Sequence, residues 1–344
     1  MTAKFKDLEQ LLLVESECGN EREFSEYCAK LLEKYTEPEN ISIDRLNNVI
    51  AYIGDRSKKK IMLTAHMDEL SLMVTGITDE GFLRVYRVGG VDRRTLLSAE
   101  VTVAGLNGIV CSTPPHLLKP GEANKVPDYK DLYIDLGLKA EEVKKKVKIG
   151  DRVRINAPVT ELLGGRFASK ALDNKLCCFA ILTALKKLKK LIDHKELDCC
   201  IVVLFASEEE VGSRGATVGT YGIAPEEAIV LDVTFAKQAD APGFGLGEGA
   251  VIEFSSFFDR KLMKAIDKAA KDNKIKHQYE ATGAAYGTDA DTVTLIGDGV
   301  KTGLISVPIR YMHTPVETAD MEDVESAADI LAAYIRTYEI GVEE

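Results

Sequence analysis

The sequence predicts an α/β protein with a mostly parallel central sheet flanked by helices and interrupted by a small β-rich insertion. Three observations carry that expectation. Residues 199–206 (CCIVVLFA) and 228–231 (AIVL) are unbroken apolar runs of the kind found in strands buried on both faces. From residue 167 onward such runs alternate with helix-period segments, the pattern of a sheet sandwiched between helices. Between residues 69 and 157 the texture changes to short strand-like pieces punctuated by glycines.

In chain order, Leu8, Leu11 and Leu12, then Phe24, Tyr27, Cys28, Leu31, Leu32 and Tyr35, recur at helical spacing and predict two amphipathic helices. Apolar runs at 49–53 and 60–65 follow. The charged turn between them, 54–59, reads as a hairpin or a link between neighbouring strands. In the insertion, strands are expected at 72–74, 82–88, 101–103, 108–111 and 152–155. The four-proline stretch 113–131 (TPPHLLKPGEANKVPDYKD) reads as an extended loop. Beyond it, residues 174–192 predict a helix with Leu176, Phe179, Ala180, Leu182, Thr183, Leu185 and Leu188 on one face and lysines opposite. Further helices are expected at 260–273 and 321–338 and a strand at 304–309. Residues 1–68 and 162–344 would then form the sheet domain and 69–161 the inserted one. Two units suit 344 residues, which exceed the size at which one core stops growing.

Composition narrows the function classes. A formal net charge of -11 argues against a nucleic-acid partner, because a polyanion needs a basic face. No run approaches the ~20 apolar residues of a membrane span. The apolar stretch 11–14 lacks the flanks and cleavage site of an export signal, so no membrane role is expected. The seven cysteines show no CxxC spacing, and two adjacent pairs sit in apolar runs, so they read as reduced core residues of a cytoplasmic protein.

In open α/β sheets, ligands gather beyond the carboxyl ends of the strands. After KIMLTA come His66 and Asp68; after CCIVVLFAS come Glu208, Glu209 and Glu210; after AIVL comes Asp232; after GLISVPIRYM comes His313. Asp173 immediately precedes a helix. Singly, each has an ordinary reading: a hydrogen-bonded structural histidine, a helix N-cap, a strand end, a solvated acidic loop. Jointly, two imidazoles and several carboxylates at the same ends of different strands are the nitrogen and oxygen donors that zinc or cobalt takes at ~2.0–2.2 Å. The set is large enough for two ions. Two residues apart in an extended segment, Asp68 shares a face with His66 and can accept its second ring proton. Glu209 and Glu210 are adjacent, so only one can point directly at an ion, leaving one to bind metal and one to move protons; spacing does not say which.

TAHMDE (64–69), PPHLL (114–118), ASKALDN (168–174), SEEEVGSRGA (207–216), LDVT (231–234), GTDA (287–290) and YMHTPVE (311–317) run in order over nearly the whole chain. With these segments the chain resembles the tetrahedral aminopeptidase family of metallopeptidases, some of whose members carry the labels glutamyl aminopeptidase or endoglucanase. The resemblance implies a phosphorylase/hydrolase-like metallopeptidase domain with an inserted small PDZ-like β-barrel. It implies that His66, Asp173 and Asp232 hold one divalent ion and Asp173, Glu210 and His313 a second, the metal being zinc or cobalt, or else manganese. Glu209 aligns with the catalytic glutamate and Asp68 with the carboxylate that supports the first histidine. The reaction implied is hydrolysis of the N-terminal residue of short peptides by a water bridging the two ions. The insertion would help dimers assemble into a tetrahedral dodecamer. Two positions depart from the family pattern. Asn174-Lys175 replaces an acid and an arginine, and Tyr286 precedes Gly287 where glycine is common, in the region expected to receive the substrate's side chain.

Two rivals remain. A glycosidase would use carboxylates such as Asp68 and Glu209 as acid and base, which leaves His66, His313 and Asp173 without a role. A non-enzymatic metal-binding assembly subunit would leave every expected catalytic position filled to no purpose. His116 reads as a loop or assembly-contact residue, and His194 and His277 as solvated.

Overall fold

Helices α1 (Ala3–Leu13) and α2 (Arg22–Leu32) open the chain, and α2 buries Phe24, Cys28 and Leu32, as its spacing predicts. The computed structural model describes residues 3–121 and 124–338. Strands β1 (Ile41–Ile43), β2 (Val49–Ile53) and β3 (Lys60–His66) come next. The expected hairpin between β2 and β3 does not form. A later strand lies between them, so the charged turn joins strands that are not neighbours.

Strands β4 (Ser71–Ile77), β5 (Leu83–Val88), β6 (Glu100–Val103), β7 (Leu106–Ser112), β8 (Leu132–Asp135) and β9 (Arg152–Ile155) close a six-stranded barrel, with helix α3 (Ala140–Lys146) before β9. Closure leaves no unpaired edge. Leu72, Val85, Val101, Val110, Ile134 and Val153 fill it as a hydrophobic cluster separate from the main core. The proline-rich stretch carries single turns at Pro115–Leu117 and Tyr129–Asp131, with His116 exposed in the first; Glu122 and Ala123 lie outside the described residues.

The chain then returns through β10 (Thr160–Glu161), β11 (Arg166–Ser169), α4 (Leu172–Asp193), β12 (Cys200–Ala206), α5 (Arg214–Ile223) and β13 (Glu227–Phe235). It ends with β14 (Ala250–Ser255), α6 (Arg260–Asp272), β15 (His277–Thr282), α7 (Asp289–Val293), β16 (Lys301–Ile309), β17 (Glu317–Asp320) and α8 (Met321–Thr337). Aspartates start two of these helices: Asp259 accepts from Leu262 N–H at 2.8 Å and Asp320 from Glu322 N–H at 3.1 Å, each satisfying an orphan amide.

The eight-stranded sheet has the order β1-β2-β12-β3-β13-β16-β14-β15. Its centre, β12-β3-β13-β16, is parallel, while β2 and β14 join it antiparallel. Every residue of β12 is buried, because helices cover the sheet on both sides of these central strands. Helices α4, α6 and α8 pack together on the sheet, and α5 packs with α7. A second, three-stranded sheet, β10-β11-β17, lies beside the start of α4 and brings Glu317 opposite Ser169. The parallel order sets His66 at the end of β3, level with Ala206 at the end of β12, and carries Asp232 on β13. Chain segments distant in sequence therefore deliver polar side chains to one end of one sheet.

Candidate metal centre

At that end the structure brings together the seven residues to which the resemblance gives a role, while Glu208, the eighth residue singled out, pairs with Arg214 at 2.8 Å. His66 Nε2 stands 3.0 Å from Asp173 Oδ1, 3.9 Å from Asp232 Oδ1 and 4.0 Å from Glu209 Oε2. His313 Nε2 stands 3.4 Å from the other Asp173 oxygen, Oδ2. Two groups of three donors result, His66 with Asp173 and Asp232, and Asp173 with Glu210 and His313; within each, the donor atoms lie within 4.8 Å of one another. Donors held ~2.1 Å from a tetrahedral ion are themselves ~3.4 Å apart, so this spacing fits a divalent ion in each group. Asp173 belongs to both and offers a different oxygen to each histidine.

The segment after barrel strand β5 reaches the centre as well. Gly89 and Gly90, just after β5, press against the site. A Cβ on Gly90 would lie 2.8 Å from His313 Nδ1, and one on Gly89 would lie 2.5 Å from Leu70 and 3.2 Å from Glu210 Cβ. Four non-glycine residues around the centre, Ala171, Glu208, Ser213 and His313, have left-handed backbone. Each costs roughly 1 kcal/mol or more, and such residues cluster where a site dictates the chain path.

Supporting contacts fix the donors. Asp68 lies 3.4 Å from His66 Nδ1, but its hydrogen bonds are to the Glu209 N–H at 2.9 Å and the Glu210 N–H at 3.1 Å. It therefore holds the Glu209–Glu210 turn at the same time as it flanks the histidine. Asp173 does not act as an N-cap: its backbone and that of Asn174 are non-helical, and the peptide between them is cis. Instead the Asp173 N–H donates to Glu317 at 3.1 Å and the His313 N–H donates to the other Glu317 oxygen at 2.8 Å. The cysteine pair on α4 lies behind the site, with Cys177 Sγ donating to the Asp232 carbonyl and Cys178 Sγ to the His66 carbonyl.

Electrostatics agree with the donor chemistry. Burial pushes Glu209 up to about 9, with Asp232, Asp289 and Asp173 adding to it, and pushes Glu210 up to about 8, with Asp173 adding. Burial and then Asp173 hold Asp232 well above the carboxylate range. Burial would lower His66, but the carboxylates of Asp173, Asp68 and Glu209 outweigh it and raise the ring well above its usual value. Asp173 first, against burial, pushes His313 up to about 9. Burial alone would raise Asp173, yet the His313 and His66 rings hold it well below the carboxylate range. These are the shifts of a buried acidic cluster with too few cations, the environment that divalent ions relieve.

Two buried acids here had no role assigned from sequence. Glu317 ends the YMHTPVE segment and Asp289, pushed up to about 6 by burial, lies in GTDA. Their only signal was membership of those segments. Of the two departures, Lys175 proves structural: fully buried, it donates to the Val14 carbonyl at 2.6 Å, stands 3.4 Å from Glu69 and lies over the Phe24 ring, while Lys170 pairs with the same glutamate. Asn174 donates to the Leu231 carbonyl at 2.9 Å. His194 is solvated as expected, but His277 is half-buried and held by the Ile275 carbonyl and the Tyr279 hydroxyl.

A cavity of about 1010 Å³ opens over the centre and reaches from His66 and His313 to β14, β15 and Tyr286. The family model of M42 glutamyl aminopeptidases matches residues 47–330. The chain is 35% identical over 308 residues to a lysyl aminopeptidase of Pyrococcus furiosus, spanning 86% of this chain and 87% of the relative. An aminopeptidase from the archaeon Desulfurococcus kamchatkensis superposes with a TM-score of 0.88 at 32% identity, covering 97% of this chain and 95% of that one. The TET1 peptidase of Pyrococcus horikoshii, which can assemble into a tetrahedron or a large octahedral shell, superposes with a TM-score of 0.84 at 30% identity over 97% of this chain and 99% of that one.

Proposed function

The chain belongs to the M42 glutamyl aminopeptidase family, and on that premise we infer that it is a metal-dependent aminopeptidase removing the N-terminal residue of short peptides. The observation that carries this reading is the Asp173 carboxylate, set between two histidines in two three-donor groups. We assign His66, Asp173 and Asp232 to one ion and Asp173, Glu210 and His313 to the other. Mixed imidazole and carboxylate donors suit zinc or cobalt, with manganese as the further option. When bound, such ions acidify a water and polarise the scissile carbonyl.

The chain's own residues supply the rest. Glu209 belongs to neither group yet lies 4.0 Å from His66 Nε2, so it is placed to take a proton from the attacking water and return it to the leaving amine. Asp68 keeps Glu209 and Glu210 oriented through their backbone amides, and Glu317 does the same for Asp173 and His313. The glycosidase alternative finds no support, because Asp68 is fully buried and its carboxylate is committed to those amides.

We further propose that copies assemble as dimers into a tetrahedral dodecamer through the unit at 69–161. The barrel's separate core and the shells formed by the TET1 relative support this. Seven unpaired cysteines, six of them buried, suit a reducing cytoplasm. Among the described residues no helix is long and apolar enough to cross a membrane. The test is a panel of aminoacyl reporters run on chelated protein with zinc, cobalt or manganese restored singly. Hydrolysis should vanish on chelation and return with at least one ion. Undiminished hydrolysis by metal-free protein, or cleavage of cellulose oligomers instead, would overturn the reading. A monomer mass with full activity in light scattering would remove the assembly.

A further inference from the structure

The geometry points to the β14–β15 end of the cavity as a pocket for a positively charged N-terminal side chain, lysine or arginine, received by Glu253 and Glu280. This rests on the aminopeptidase reading and names the substrate class that the site would select. The preference comes from this chain's own pocket.

Strands β14 and β15 pair in parallel with Glu253 directly opposite Glu280, which puts both side chains on one face. Like charges in that position repel and weaken a sheet, so the pair calls for a compensating cation. Among the described residues none is paired with either carboxylate. The cavity is lined by seven carboxylates against one arginine and two histidines, and that arginine, Arg87, comes from the barrel strand β5. Glu253 is fully buried, lines the cavity, and neither of its oxygens has a well-formed hydrogen bond. An ionised group left in that state costs several kcal/mol unless something polar arrives. Burial, then Glu280 beside it, pushes Glu253 up to about 8, while Ser306 and Tyr286 favour its charged form.

Position separates this pair from the metal centre. Asp232 is level with Ser306 on β16, Ser306 is level with Val251 on β14, and Glu253 lies two residues further along that strand. Two strand spacings across and two residues along place the Cα atoms of Asp232 and Glu253 ~12 Å apart. A peptide held with its scissile bond at the centre thus extends its first side chain, and not its amino group, toward Glu253 and Glu280. A leucine there would leave buried Glu253 and half-buried Glu280 facing each other without a cation, and a glutamate would add a third carboxylate. Tyr286 forms the wall: its ring stacks on Phe258 at 5.4 Å and its buried hydroxyl faces Glu253 without a well-formed hydrogen bond. The residue that departs from the family pattern therefore shapes this pocket.

The test uses full-length, metal-restored protein with lysyl, arginyl, leucyl and glutamyl reporters. Lysyl and arginyl kcat/KM should exceed leucyl by about tenfold or more, with glutamyl lowest, and Glu253→Gln or Glu280→Gln should cut the lysyl-to-leucyl ratio by about tenfold. A ratio near one in the unaltered protein, or both variants lowering all reporters by one common factor, would overturn the assignment. A binding readout needs no turnover. Free L-lysine should raise the melting temperature of the loaded protein where L-norleucine, which has the same four-carbon side chain without the ammonium group, does not, and Glu253→Gln should abolish the difference. Equal shifts from the two amino acids would also overturn it. Failure of the aminopeptidase reading shows itself separately, as no hydrolysis of any reporter, and the lysine-norleucine comparison then still decides the pocket.

Discussion

Removing metal should make the protein less stable as pH rises, and the gap between loaded and metal-free protein should widen over the same range. In the metal-free chain Glu209 and Glu210 are pushed up to about 9 and about 8 from an ordinary 4.5 by burial and by neighbouring acids. Between pH 5 and 8 the folded chain therefore holds protons that the unfolded chain has released. Stability must fall with rising pH wherever the folded state binds more protons. Counted together as one net proton, the pair loses about 3 kcal/mol between pH 5.5 and 7.5, at roughly 1.36 kcal/mol per pH unit. An unfolding entropy of about 2.1 cal/mol/K per residue turns that into a drop of about 4 °C for a chain of this length. His313, raised to about 9, acts in the same direction: its contribution is complete below pH 6.5 and is lost as pH rises through 9. Loading reverses the trend, because ligands bind metal only when deprotonated and so bind it more tightly at higher pH. Glu253 lowers both forms alike and cancels in the difference. Scanning calorimetry at pH 5.5, 6.5 and 7.5, with chelator and with zinc, reads both curves. A metal-free melting temperature that climbs across this window, or a gap that stays constant, would refute the reasoning.

Other substitutions separate catalysis from support. Glu209→Gln should keep two ions per chain by elemental analysis and lose about 10²–10⁴-fold in kcat, because it removes the base without removing a ligand; undiminished turnover would contradict its role. Glu317→Ala strips the acceptor from the Asp173 and His313 amides, so denaturant melts should show a loss of about 2–4 kcal/mol and metal titration a roughly 10–100-fold weaker affinity. Unchanged affinity would reduce Glu317 to a packing role. Lys175→Met removes one of two cations on buried Glu69 and should cost about 2–3 kcal/mol in the same melts, with Glu69→Gln in the double variant recovering part of it; strictly additive losses would show that the two groups do not interact.

The fold was legible where burial leaves a pattern that a single segment can carry. The all-apolar runs became β12 and the middle of β13, and the helical spacings became α2, α6 and α8. Short amphipathic pieces were not legible. β15 (HQYEAT) is an edge strand whose residues are all at least partly exposed, and α3 (AEEVKKK) buries Val143 alone, so neither shows a period. Missing β15 hid the Glu253–Glu280 pair, because register across two strands is not visible in either one. The hairpin expected at 54–59 failed for a similar reason: a local turn says nothing about β12, which enters the sheet from more than 130 residues away. The candidate centre was legible because each of its donors follows an apolar run or precedes a helix-period segment in the sequence, where ligand chemistry is looked for. Glu317 was not, because its work is to accept two backbone amides, and residue type does not encode that.

Anomalous diffraction from crystals of the zinc-supplemented protein is the most direct measurement. Two peaks are expected in each chain, one among His66, Asp173 and Asp232 and one among Asp173, Glu210 and His313, with Glu209 bound to neither. A single peak, or none between His66 and His313, would contradict the two-ion centre on which the proposed chemistry depends.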